Sequence, residues 1–335
     1  DTAIGGAAAD WIFGDTGDDI LVGDHARVDY YQAASARRVE SIFSGIGGAD
    51  YILGESGDDV IIAGDGADVA EGGYGEDVVH GDHAWVEHTD SAFTSTGTMN
   101  AGVGGADLLS GDAGDDALFG SADSDTLSGD TGDDLLVGDY GQYTYEEVNG
   151  WQFTSALLED TDDAVGSHID HMFGDADDDV LVGGLDSDVL QGNSGDDILL
   201  GDRGTWGLAG GLRTAGTIDP TIGAADVIHG DEGSDMAFGG VDADVISGDE
   251  GDDFLLGDFG EAQSFAAGGV VFVRTNTPGQ GGKDSITGDS GDDFLFGGFD
   301  QDMLEGGTED DVLVGDYAEL LGDPTGNAQL VTTSM

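Results

Sequence analysis

The sequence predicts an all-β solenoid, in which short strands stack coil upon coil around a narrow apolar core. Three observations lead there. First, a nine-residue phrase, G-[GD]-x-G-x-D-x-U-x with U apolar, recurs along the 335 residues, clearest as GDTGDDILV from Gly14, GDAGDDALF from Gly111 and GDSGDDFLF from Gly288. Second, its sixth position carries aspartate 22 times, spaced by nine within each cluster. These are Asp10, Asp19, Asp50, Asp59, Asp68, Asp77, Asp107, Asp116, Asp125, Asp134 and Asp170, then Asp179, Asp188, Asp197, Asp226, Asp235, Asp244, Asp253, Asp284, Asp293, Asp302 and Asp311. Third, the residue two further on is apolar, from Ile12, Leu21, Ile52 and Ile61 through to Leu295, Leu304 and Leu313.

Each element follows from the phrase. A three-residue x-U-x strand sends its middle side chain to one face and the two neighbours to the other. One inward residue per nine cannot hold a repeat together, whereas stacked repeats bury continuous rows of U residues. Glycine at positions one and four permits φ > 0 and lets the intervening carbonyls point inward.

Composition bounds the partners. Seven basic residues against 72 acidic ones leave a formal charge of −65, and such a chain repels itself out of any compact state without counter-cations. Apolar residues make up 38% and stand at fixed register, which argues against disorder. Bound metal is the expected neutraliser, and calcium takes six to eight oxygens of the kind that Asp and peptide carbonyls offer. No basic stripe exists for nucleic acid. There is no cysteine for disulfides, and no run approaches the roughly 18 apolar residues of a membrane span.

The phrase resembles the RTX, or hemolysin-type, calcium-binding nonapeptides of secreted bacterial proteins, whose consensus is G-G-x-G-x-D-x-U-x. The resemblance implies a parallel β-roll, a right-handed β-solenoid of about eleven coils. In it six residues turn, three form a strand, and two phrases make one coil. It also implies multiple Ca2+ ions in the turns, held by the 22 sixth-position aspartates and by backbone carbonyls. With 18-residue coils, Asp50 is expected to share an ion with Asp68, and Asp59 with Asp77. The same rule pairs Asp107 with Asp125, Asp170 with Asp188, Asp226 with Asp244 and Asp284 with Asp302. The chain departs from the consensus with Asp at position two, as in Asp15, Asp112, Asp130, Asp249 and Asp289. These either tighten the sites or add surface charge.

Insertions at 25–47, 83–104, 140–166, 203–222 and 259–280, with a terminal piece 317–335, punctuate one array expected to run from 1 to 335. Each of the five follows a Gly-Asp pair ending at Asp24, Asp82, Asp139, Asp202 or Asp258. Complete clusters hold four phrases, so every insertion leaves the same edge of the roll as an enlarged turn. QYTYEEVNGWQF, TWGLAGGLRT and SFAAGGVVFVRT read as β-hairpins around Asn149-Gly150, Gly210-Gly211 and Gly268-Gly269. Hairpins two coils apart stand about 9.6 Å from one another, the width of a two-stranded hairpin. Side-by-side pairing into a further sheet is therefore expected.

Some motifs mislead. Gly288-Asp289-Ser290-Gly291 spells a protease nucleophile loop but falls in the register of a turn, and neither H-E-x-x-H nor G-x-S-x-G occurs. The sequence is read as non-enzymatic. His80, His83 and His88, and His168 and His171, have spacings that can bind transition metals, while His80 and His229 stand at the outward ninth position and are expected at the surface. Trp85, Trp151, Phe153 and Trp206 either pack the hairpins down or form an exposed aromatic ridge.

The chain begins and ends inside its pattern, and reads as a processed or excised piece of a longer array or as a copy that stacks head to tail in a homo-oligomer. The expected role is an extracellular, secreted or cell-surface structural repeat in a filament, layer or adhesin stalk, folded by calcium outside the cell. An adhesin binding module using the hairpin edge, or a calcium-dependent secretion segment of a larger enzyme or toxin, are the alternatives.

Overall fold

The computed structural model describes residues 1–31, 36–89, 92–99, 102–146, 150–155, 168–219, 221–265, 270–275, 279–316, 318–322 and 328–332. The chain forms two compact units, Asp1–Tyr145 with Thr154–Asp175 and Glu146–Phe153 with Ala176–Met335. Both are all-β, with no helix among the described residues.

In the first unit each coil contributes one strand to each of two parallel sheets. The inner sheet runs Thr2–Ile4, Ile20–Val22, Val60–Ile62, Val78–His80, Ala117–Phe119 and Leu135–Val137. The bare sheet contains Trp11–Phe13, Tyr51–Ser56, Val69–Tyr74, Leu108–Ala113 and Thr126–Thr131. Registers place the U residues directly opposite one another, Ile12 by Ile52, Ile52 by Ala70, and Leu109 by Leu127. The second unit repeats the plan. Its inner sheet is built from Val180–Gly184, Ile198–Asp202, Met236–Phe238, Phe254–Leu256, Phe294–Phe296 and Val312–Val314. Its bare sheet is built from Val189–Ser194, Val227–Glu232, Val245–Ser247, Ser285–Ser290 and Met303–Thr308.

The U residues form the core between these sheets and are buried, from Ile52, Ile61 and Leu118 in one unit to Leu199, Ile228 and Leu255 in the other. Leu304 is half-buried and Leu313 is 44% exposed. Coils join through two turn edges. At the plain edge, turns lead from the bare sheet into the inner sheet; at the insertion edge, turns lead back, and every second one carries an insertion.

The hairpins do pair. In the first unit Ala26–Tyr31 pairs with Ala36–Ser41, Ala84–Thr89 with both Ala36–Ser41 and Ala92–Thr98, and Ala92–Thr98 with Gly141–Glu146, all antiparallel. In the second, Gly204–Ala209, Leu212–Thr217, Gly260–Phe265, Val270–Thr275, Ala318–Gly322 and Ala328–Thr332 pair in sequence. Gly210 and Gly211 occupy the loop with φ of 62° and 79°, the two left-handed residues a type I′ turn requires. The tips around Asn149 and Gly268-Gly269 fall outside the described residues.

This hairpin sheet does not simply project from the edge; it lies on the inner sheet. Val39, Ala84 and Val86 pack against Ile20, Val22, Val60 and Ile62 in one apolar cluster. Two expectations are corrected as a result. Burial of one residue per nine holds only for the bare sheet; inner-sheet strands such as Ile20–Val22 and Val60–Ile62 are buried on both faces. His80, expected outside, is fully buried for the same reason: it stacks on Phe119 at 4.6 Å and meets Thr96 Oγ1 of a hairpin at 2.6 Å. Burial pushes its pKa down to about 3, so the ring is neutral. Most bare-sheet strands are also longer than three residues, as in Tyr51–Ser56, because the ladder continues into the plain-edge turn, Glu55 pairing with Gly73 and Ser56 with Tyr74; Trp11–Phe13 and Val245–Ser247 keep three.

Candidate metal centres

The sixth-position aspartates fall into two rows, one per edge. Along the insertion edge of the first unit, the Asp10 amide donates to Asp50 Oδ1 (2.7 Å), Asp50 to Asp68 (2.6 Å), Asp68 to Asp107 (2.8 Å), Asp107 to Asp125 (2.8 Å) and Asp125 to Asp170 (2.8 Å). Along its plain edge the same bond runs from Asp19 to Asp59, Asp77, Asp116 and Asp134 in turn. The second unit has the rows Asp188, Asp226, Asp244, Asp284, Asp302 and Asp179, Asp197, Asp235, Asp253, Asp293, Asp311. Residues 18 apart are thus neighbours, as counting predicts. So are Asp10 and Asp50, or Asp188 and Asp226, which flank insertions, so an insertion enlarges a turn without breaking the row.

In sixteen of these carboxylates one oxygen accepts an amine or amide hydrogen bond and the other is left over. Oδ2 is buried without a hydrogen-bond partner in Asp19, Asp50, Asp59, Asp68, Asp77, Asp107, Asp116 and Asp125, and in Asp197, Asp226, Asp235, Asp244, Asp253, Asp284, Asp293 and Asp302. A buried anionic oxygen without a partner is costly unless a cation meets it. Peptide oxygens converge on the same places. A Cβ added to Gly14 would stand 2.6 Å from Gly54 O and 2.9 Å from Asp19 Oδ2, and one at Gly230 would stand 2.8 Å from Gly248 O. Glycine at position one therefore keeps open an oxygen-lined cradle between coils. No three His, Cys, Asp or Glu side chains gather round one point among the described residues. One carboxylate per turn with backbone carbonyls is the donor set, and it suits a hard cation with flexible coordination.

The electrostatics point the same way. Burial pushes the Asp77 carboxyl up to about 8, reinforced by Asp116 and Asp59, and burial likewise carries Asp68 and Asp116 to about 7 and Asp134 and Asp235 to about 9. Asp125, Asp226 and Asp244 are raised well above the ordinary 3.8, again chiefly by burial. Without a cation, folded turns would retain protons at these positions at neutral pH.

The model of the RTX calcium-binding nonapeptide repeat matches residues 1–24, 44–79, 102–136, 173–205, 223–261 and 278–315, more than half the chain. The chain belongs to the RTX family. RTX nonapeptides bind multiple Ca2+ ions, and the leftover carboxylate oxygens and carbonyl-lined cradles fit that ion. No curated protein matches the chain.

The RTX phrase also explains position two. Asp15, Glu55, Asp112, Asp130, Asp175, Asn193, Asp231, Asp249 and Asp289 all have φ between 69° and 73°. The consensus glycine serves this left-handed turn, and Asp and Asn are the residues that best replace it. Their side chains face the bare sheet: the Ser110 hydroxyl donates to Asp130, Ser128 to Asp175 and Ser247 to Asp289.

A second set of carboxylates carries a role that sequence reading had treated only as punctuation. Asp24, Asp82, Asp202 and Asp258, which open insertions, are buried. Asp82 accepts from Gly105 N, where its own insertion returns, and from Ala122 N of the next coil, at 3.0 and 2.8 Å. Asp202 accepts from Ala224 N and Val241 N, and Asp258 from Gly282 N and Phe299 N. These residues clasp the roots of their own hairpins to the roll. Their signal was the invariable Gly-Asp before an insertion.

Other motifs resolve without chemistry. The Ser290 hydroxyl donates to Asp249 O, 3.1 Å away, inside a turn. His83 is buried with Nε2 3.0 Å from Asp65 Oδ1, and His168 Nε2 lies 3.4 Å from Asp123. Trp85 and Trp206 are half-buried, Arg38 stands 4.5 Å over the Trp85 ring, and Phe153 is buried; the side chains of His88 and Trp151 lie outside the described residues.

Proposed function

We propose that this chain is a calcium-stabilised extracellular structural repeat, a segment or subunit of a surface filament, layer or adhesin stalk. Its 22 sixth-position aspartates hold the ions, as one array along residues 1–335, and it catalyses no reaction. The observation that carries this reading is the pair of carboxylate rows in which oxygen after oxygen is buried without a partner. A chain with a formal charge of −65 has little reason to fold where calcium is scarce, and millimolar calcium outside the cell neutralises the turns as they close. The apolar core is a narrow stack repeated coil after coil, which suits a stiff spacer better than a catalytic scaffold. Copies add head to tail because an open solenoid end offers strand edges.

Circular dichroism and negative-stain microscopy during calcium titration of chelated protein test this. The expected result is loss of β signal in chelator, its cooperative return with calcium, and growth of rods or filaments. Rods that stay monomeric would shift the assignment to an adhesin or secretion segment, and a chain that stays folded in chelator would overturn the calcium mechanism.

A further inference from the structure

One plain-edge turn of the first unit departs from its neighbours at two adjacent positions. Position two is Asp15, Glu55, Asp112, Asp130 and Asp175 in the other turns of that unit but Gly73 here; position three is Thr16, Ser56, Ala113 and Thr131 elsewhere but Tyr74 here. The exchange removes a side chain from the outer face of the bare sheet and raises an aromatic wall beside the gap. The result is a cavity of about 430 Å³ lined by Leu53, Glu55, Glu71, Gly73, Tyr74, Asp112 and Ala113.

The lining combines three things. Leu53 and Ala113 form an apolar floor. Tyr74 is 73% exposed, although nothing in the RTX phrase calls for an aromatic there. Glu55, Glu71 and Asp112 set three carboxylates on the rim, with no basic residue among the lining. The Tyr51 hydroxyl holds Glu71 from the next strand at 3.3 Å. Calcium in the turns would not neutralise these groups, because they face the outside of the bare sheet and not the cradles. The surrounding face carries further apolar groups: Trp11 and Tyr51 stand 5.1 Å apart, and Trp11 and Leu108 are exposed.

We propose that this cavity is a docking site for an arginine side chain presented by a partner protein. The aliphatic stem would lie on Leu53 and Ala113, the guanidinium would stack on Tyr74, and its N–H groups would donate to Glu55 and Asp112. Charge complementarity selects this occupant: an aromatic ring ringed by carboxylates and lacking any basic group favours a cation with an apolar stem over a neutral or anionic guest.

The test uses the full chain in saturating calcium and 150 mM salt. The probes are two short Gly/Ser/Leu peptides, one with a central arginine and one with citrulline, its neutral isostere. The arginine peptide is expected to bind about tenfold more tightly. Tyr74→Ser places at position three the residue already present at Ser56 and Ser290, and should weaken binding about fivefold to tenfold. Glu55→Gln with Asp112→Asn, residues that tolerate the same turn, should weaken it at least as much. The calcium midpoint of folding should not move in either variant. Equal binding by all variants would overturn the site in favour of diffuse attraction to an acidic chain. Equal binding of citrulline and arginine would overturn the cation and indicate a site for neutral N–H donors. Competition by calcium that vanishes in the double carboxamide variant would replace the arginine with a metal ion.

Discussion

The plain and insertion edges both carry a sixth-position aspartate in every turn, and they differ in almost everything around it. On the plain edge of the first unit, position five is acidic throughout, as Asp18, Asp58, Glu76, Asp115 and Asp133. These exposed residues make their own ladder, the Asp58 amide donating to Asp18 Oδ1 and the Glu76 amide to Asp58 Oδ1. That direction is opposite to the buried row one residue away. On the insertion edge, position five is Ala9, Ala49, Ala67, Ala106 and Ser124, and the added carboxylates are buried clasps at hairpin roots. One edge therefore puts its surplus charge in water. The other spends its surplus on backbone amides, with two donors meeting each clasp. The comparison separates three uses of aspartate that composition alone merges: cation holder, surface charge and loop clasp.

What the edges share is the sharpest target. The buried sixth-position carboxyls are raised to about 7 at Asp68, Asp116 and Asp253, about 8 at Asp77, and about 9 at Asp134 and Asp235, against an ordinary 3.8. A folded-state pKa above the unfolded one favours the fold at low pH, and that contribution is lost as pH rises through the folded values. In chelator, β content should therefore be higher at pH 5.5 than at pH 9. With subsaturating calcium the order should reverse, since protons and calcium compete for the same oxygens. Circular dichroism across both series checks this; identical pH profiles with and without calcium would break the link between the carboxylates and the ion.

Next in size is a substitution within the plain edge. Asp77→Asn should raise the calcium midpoint several-fold and lower the number of ions bound, by calorimetric titration. Asp58→Asn, nineteen positions earlier and facing water, should change stability by about 0.5 kcal/mol or less. Equal effects would erase the distinction between the buried and exposed rows. The most local effect belongs to the clasps. Asp82→Ala strands the amides of Gly105 and Ala122, costing about 1–3 kcal/mol for each unsatisfied group. Faster hydrogen exchange should appear in the strands Ala84–Thr89 and Ala92–Thr98 while the ion count stays unchanged. Loss of an ion in that variant would make the clasp a ligand.

Much of this was legible because a periodic chain repeats its own message. The nine-residue spacing located every row aspartate and every U residue, and counting four phrases per cluster put all insertions on one edge. The cover over the inner sheet was also written in the letters, although less openly. Its strands ILV, VII and ALF are apolar at all three positions and the bare sheet reads TLS at Thr126–Ser128, but WIF and YIL of the bare sheet are as apolar, so the signal is partial. Alternation argues for one buried face and unbroken apolarity for two. His80 was misjudged because its own strand gave no sign that Thr96, from a hairpin, would close over it. The cavity at Gly73 was hidden for a different reason. Glycine at position two is the ordinary RTX residue, and it becomes exceptional only beside a column of Asp and Glu. The root clasps were visible as a pattern, but only the fold shows which amides they meet.

Two lattices of the same spacing lie face to face in each unit. A hairpin adds two strands to the covering sheet for every two coils added beneath it, so the cover neither crowds nor thins as the chain lengthens. An insertion at every coil would demand twice the available width, and one at every third would leave a strip of the inner sheet in water. Such a protein can grow or shrink in evolution only by whole quanta of four phrases and one hairpin. Single nonapeptides, the unit of gain and loss in an uncovered roll, are forbidden steps here.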